Sequence, residues 1–224
     1  MISRAHDKGQ RGQVLVESAF TLLISIPLIL GLIAIGIRFV RELAISQVSR
    51  DMANMYARGV DFTSSNANAT QIVQRLGPGF DFTTTGNAVA ILSEVRKITA
   101  TDCTAAGVAA GSCNTDQAVF EQRLLFGNSS VRASNFGTPP SSLLDGSGKS
   151  AFANQLRDSR LVAQGFLNYL NLNGTQPPFL GADGVTMITL APEHAFMVEV
   201  IVNTSDLDIP GFMTQTQAYS RNIF

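Results

Sequence analysis

The residues best placed to do chemistry lie near the N-terminus, in Gly12-Gln13-Val14-Leu15-Val16-Glu17. A glycine closes a short basic stretch, and a glutamate follows five positions later at the mouth of a long apolar run. A carboxylate carried into a bilayer costs several kcal/mol unless partnered, so an acid there is a functional candidate by default. The chemistry it offers is charge pairing. Near the N-terminal end of a helix the dipole also favours an anion. The simpler alternative is that Glu17 only marks the interfacial edge of an anchor.

Other reactive side chains are sparse. Two His and two Cys are too few for a zinc site drawn from these residues alone, so no metal or cofactor is expected. His194 follows Glu193 without an HExxH context, and no G-x-S-x-G elbow accompanies it, so no enzymatic activity is expected. Asp145-Gly146-Ser147-Gly148-Lys149-Ser150 resembles the end of a phosphate-binding loop, but Leu143 stands where the first glycine is needed. With 16 Lys/Arg against 17 Asp/Glu and no basic run beside aromatic platforms, nucleic acid is not an expected partner.

The element that positions Glu17 is plain from charge spacing. Ser18 to Ile37 is 20 residues without a charge, about 30 Å of helix and the thickness of a bilayer's hydrocarbon core. Soluble helices rarely run so far without a polar face. Beyond it Val40, Ala44, Val48, Met52 and Met55 recur at helical spacing, and Gly59 is the residue type that best caps a helix C-terminus. The spacing therefore predicts one helix over residues 13–58, transmembrane over about 18–37, with a bend at Pro27. Such a helix is roughly 68 Å long, and its striped half must lie against something.

With the leader in front of it, the hexapeptide resembles the processing site of type IV pilins and pseudopilins, which prepilin peptidase cuts after the glycine and which carry Glu as the fifth mature residue. More narrowly, Arg11 to Phe20 (RGQVLVESAF) is similar to the start of TadE-like proteins, the minor pseudopilins of tight-adherence (Tad, type IVc) pilus systems. Ser18 departs from the aromatic common there. The resemblance is clearest from Arg11 to Gly59 and continues loosely through 195–200 and 218–224.

It implies a leader over residues 1–12, cleavage between Gly12 and Gln13, and Glu17 as a subunit-registry group. It also implies an extracytoplasmic head over 59–224, single-pass inner-membrane location before any entry into a pilus, and a role in Tad pilus assembly, adhesion or biofilm formation. The implied partners are membrane lipid, prepilin peptidase, other pilin subunits and the pilus assembly platform. Counting Lys and Arg does not settle orientation, because Arg4, Lys8 and Arg11 precede the span while Arg38, Arg41, Arg50 and Arg58 follow it. A signal-anchored extracytoplasmic binding domain that never polymerises is the alternative.

The head reads as a small α+β unit with an antiparallel, pilin-like sheet. Residues 89–98 and 118–126 read as paired strands, the second with Ala118, Phe120, Leu124 and Phe126 on one face and Glu121 and Arg123 on the other. Between them stand Cys103 and Cys113. In an exported head they would close a disulfide; in a cytoplasmic domain they would be free thiols. A helix is expected over about 158–169, with Leu161, Val162, Phe166 and Leu167 buried. Residues 196–202 read as a central strand in which Glu199 needs a partner, expected to be an arginine. A short strand closes the chain.

Overall fold

A computed structural model describes residues 7–63, 68–164, 179–180, 187–188, 194–204 and 217–224. The expected leader's first six residues lie outside these, as do Phe166 and Leu167. The first element is helix α1, Asp7–Ala57, continuous through Gly12 and Gln13 and with Pro27 inside it. At 51 residues it is about 77 Å long.

Helix α1 ends where the sequence predicts. Gly59 has φ 79°, and its amide reaches the carbonyl of Tyr56 (3.0 Å) while Val60 N reaches that of Met55 (3.0 Å). This paired bond pattern needs a left-handed residue, which glycine adopts without a Cβ clash. The chain then forms α2 (Ala69–Leu76), β1 (Ala88–Lys97), α3 (Ala100–Ala105), β2 (Ala118–Gly127), α4 (Phe152–Arg157), a two-stranded ribbon of β3 (Phe179–Leu180) and β4 (Met187–Ile188), then β5 (His194–Asn203) and β6 (Gln217–Ile223). The main sheet has the order β2-β1-β5-β6 with every neighbour antiparallel. The layout is the α+β arrangement expected, a long apolar helix followed by a small sheet.

The C-terminal half of α1 covers one sheet face. Ile45, Val48, Met52, Ala53 and Tyr56 are buried there against Ala88, Ala90 and Leu92 of β1, Leu124 and Phe126 of β2, and Val198, Val200 and Val202 of β5. Alternate strand residues point the other way, as the period of two requires, so Val89, Ile91 and Ile201 pack on the far face with Val131 and Tyr219. Val48 and Met52 of the expected stripe are buried and Met55 packs beside them, whereas Val40 is exposed and Ile45, Ser49 and Ala53 complete the buried face. Steps of four residues overshoot the helical repeat of about 3.6 and drift around the cylinder; the true stripe alternates steps of three and one.

The predicted faces of β2 are also corrected. Leu124 and Phe126 face α1, whereas Ala118 and Phe120 pack on the far side with Val95, Phe136 and Met197. The register jumps between Glu94 and Val95, opposite Gln122 and Phe120 respectively, so Glu121 is an extra residue. A bulge of this kind reverses the in-out parity of the strand on its two sides. The expected helix from Asp158 does not form over the described residues: α4 lies earlier, Ser159–Leu161 is a single 3-10 turn, and Val162 bridges Val119. Asp158 is extended and its carboxylate accepts from Arg160 N (3.0 Å), ending one helix and capping the next turn. Leu161 is buried as expected.

Candidate functional site

Helix α1 divides into two environments. Every large apolar side chain from Val14 to Leu43 is exposed, and the segment is long and apolar enough to cross a membrane. From Ile45 onward the inward side chains are buried in the head. Water-facing apolar patches on soluble monomers rarely exceed a few hundred Å², and the exposed surface of this half of the helix is apolar over nearly its whole length.

Glu17 lies at the start of that surface and is itself exposed, on a helix face shared with Val14, Ser18, Thr21 and Leu22. The neighbouring hydroxyls bond back to the helix, Ser18 Oγ to Leu15 O (3.0 Å) and Thr21 Oγ1 to Glu17 O (2.9 Å). Such back-bonding lets polar side chains sit in an apolar helix without an outside partner. No such device serves a carboxylate, and from Val14 onward no described side chain forms an ion pair with Glu17. At the other margin Arg38 Nε pairs with Glu42 Oε1 at 3.0 Å, one turn on.

The two cysteines come together. Cys103, buried in α3, and Cys113 have their sulfurs 1.99 Å apart and Cα atoms 6.1 Å apart. Thr99 and Asp102 cap α3 reciprocally, Thr99 N donating to Asp102 Oδ2 (2.9 Å) and Asp102 N to Thr99 Oγ1 (3.2 Å). The cap and the cross-link fix the β1–β2 connection against Ile98, Val119, Leu156 and Leu161.

Glu199 is fully buried on the sheet face away from α1. It accepts hydrogen bonds from Ser134 Oγ, from Tyr219 OH (2.8 Å) and from Asn135 N (3.4 Å). Arg221 faces it across the β5–β6 ladder. Arg123, donating to Ser93 Oγ at 2.6 Å, is drawn down to about 10 by burial, an effect that the Glu199 charge opposes. These bonds tie the 134–137 loop to the sheet, and nothing in them resembles a reactive centre.

A second polar cluster is not legible in the sequence. Glu94 on β1, Glu121 in the β2 bulge and His194 at the start of β5 place their ligating atoms within 4.8 Å of one another. His194 Nδ1 is 3.0 Å from Glu121 Oε2 and 3.5 Å from Glu94 Oε1. Burial and the neighbouring Glu121 charge push the Glu94 carboxyl up, with His194 and Lys149 pulling the other way. Tyr56 is close enough for both carboxylates, after burial, to push its phenol up. Asp145, in the near-match to a phosphate loop, instead accepts from Ser147 N (2.8 Å), Ser147 Oγ (2.7 Å) and Lys149 N (2.9 Å), closing a turn against the edge of β2.

No known family model, curated protein or solved structure matches the chain.

Proposed function

We propose that this chain is a pilin-like membrane subunit, a TadE-like minor pseudopilin that prepilin peptidase cuts between Gly12 and Gln13. Its N-terminal helix holds it in the inner membrane, and its disulfide-closed head lies outside. From the membrane it joins or primes a Tad pilus through contacts with other pilin subunits and the assembly platform, serving adhesion or biofilm formation.

The observation that carries the reading is the division of one helix. The inward side chains between Ile45 and Tyr56 are buried against the sheet, while the apolar surface from Val14 to Leu43 has nothing of this chain to cover it among the described residues. Such a surface suits lipid first and, after extraction, the helices of neighbouring subunits. In that packing Glu17 would meet the α-amine of an adjacent copy. Each subunit then carries one cation and one anion that are both satisfied only in register, which makes the pair a device of specificity rather than of net stability. A Glu17→Ala variant, expressed with prepilin peptidase and its pilus system, should be cleaved normally yet fail to support pili. Normal pili from that variant would refute the registry role.

A further inference from the structure

Three adjacent strands bring Glu94, Glu121 and His194 to one corner of the sheet, and the bulge aims Glu121 there instead of letting the strand's alternation carry it away. Oxygen and nitrogen ligands bound tetrahedrally to zinc at about 2.0–2.2 Å lie about 3.4 Å from one another. The His194 Nδ1 separations of 3.0 and 3.5 Å from the two carboxylates bracket that spacing. Independently, Glu121 Oε2 is sealed from solvent yet receives no aligned hydrogen bond, although the imidazole nitrogen is its neighbour. A buried anionic oxygen without an aligned donor, beside a ring nitrogen and a second carboxylate, is an arrangement a cation satisfies.

We propose that Glu94, Glu121 and His194 form a binding site for a single divalent transition-metal ion of the zinc type. One imidazole with two carboxylates suits zinc and its first-row neighbours, whereas calcium and magnesium take oxygen ligands. Lys149 is the other cation whose charge reaches Glu94, and an ammonium supplies no ligand. With 39% of its side chain exposed, His194 leaves a path in, and three protein ligands leave a coordination position open for water or for a group on a partner. The ion would clamp β2, β1 and β5 together at the bulge. This inference does not depend on the pilin reading.

The test is equilibrium dialysis of the full chain in detergent micelles against Zn²⁺, with bound metal counted by mass spectrometry and calcium and magnesium in excess. One zinc per chain is expected, with affinity falling in both Glu121→Gln and His194→Gln by at least the roughly 10- to 100-fold that loss of an outer-shell partner brings. Near-ultraviolet circular dichroism establishes that each variant is folded. His6→Gln, altering the chain's other histidine, should bind as the parent does. Absence of stoichiometric zinc, unchanged binding in folded Glu121→Gln and His194→Gln, loss of binding in His6→Gln, or equal displacement by calcium would each overturn the proposal.

Discussion

The hydroxyl of Tyr56, in the last turn of α1, donates to Gln122 Oε1 at 2.9 Å, joining the helix to the bulged part of β2 across 66 positions of sequence. Gln122 Nε2 in turn donates to Ser147 O at 2.9 Å, so helix, strand and the 145–149 turn share one line of hydrogen bonds. The Tyr56 ring packs edge-on against Phe196 at 5.2 Å and Phe62 at 6.2 Å. Replacing Tyr56 with Phe keeps the ring and removes the bond, at an expected cost of about 1–2 kcal/mol. Tyr56→Ala also leaves a cavity and should cost about 3–5 kcal/mol. Urea unfolding of the chain in micelles, followed by tyrosine fluorescence because there is no tryptophan, measures both.

The phenols report the same packing through pH. Burial, reinforced by Glu94 and Glu121 at Tyr56 and by Glu199 at Tyr219, pushes both groups well above the ordinary tyrosine range. The folded chain therefore holds these protons more tightly than the unfolded chain. The resulting stability is complete below pH about 10 and is lost as pH rises beyond it. Of the 3 tyrosines, those at 56 and 219 should stay un-ionised at alkaline pH until the head unfolds. Phenolate absorbance should show one lagging group fewer in Tyr56→Phe and likewise in Tyr219→Phe; simultaneous ionisation of all three in the folded chain would contradict this.

Joining Cys103 to Cys113, which are 10 positions apart, removes about 2–3 kcal/mol of loop entropy from the unfolded chain. The paired Cys103→Ser, Cys113→Ser variant should lose roughly that much stability, while the sheet persists because most of its core is built by other residues. Urea midpoints for the parent and the double variant, measured without reductant, check this. Equal midpoints would show that the cross-link contributes nothing.

The parts of the fold legible in the sequence are those set by local composition. A run without charge from Ser18 to Ile37 can only be a long apolar helix, Gly59 ends it, and the apolar strands 88–97, 118–127 and 194–203 are paired as their patterns suggest. Helix α2 also carries a readable pattern, with Ala69, Ile72, Val73 and Leu76 at helical spacing and on its inward side, yet the Asn/Ser/Thr-rich stretch before it reads as loop. The β2 bulge has no local mark, because Glu121 becomes an extra residue only through its pairing with β1. That hidden residue sets the Glu94–Glu121–His194 corner, so neither the cluster nor the reversed face of Ala118 and Phe120 could be read from alternation. The environment of Glu199 is equally non-local, since two of its donors come from Ser134 and Asn135, 64 to 65 positions away.

The central claim is that Glu17 becomes the fifth residue of a processed subunit, and the mass of the chain's own N-terminus tests it most directly. After expression with prepilin peptidase, intact-mass and peptide mass spectrometry should find a chain beginning at Gln13. Loss of residues 1–12 removes Arg4, Lys8, Arg11 and Asp7 and leaves 13 basic against 16 acidic side chains. A chain that keeps its leader, or one that begins near Ile37 after the apolar run, would contradict the account.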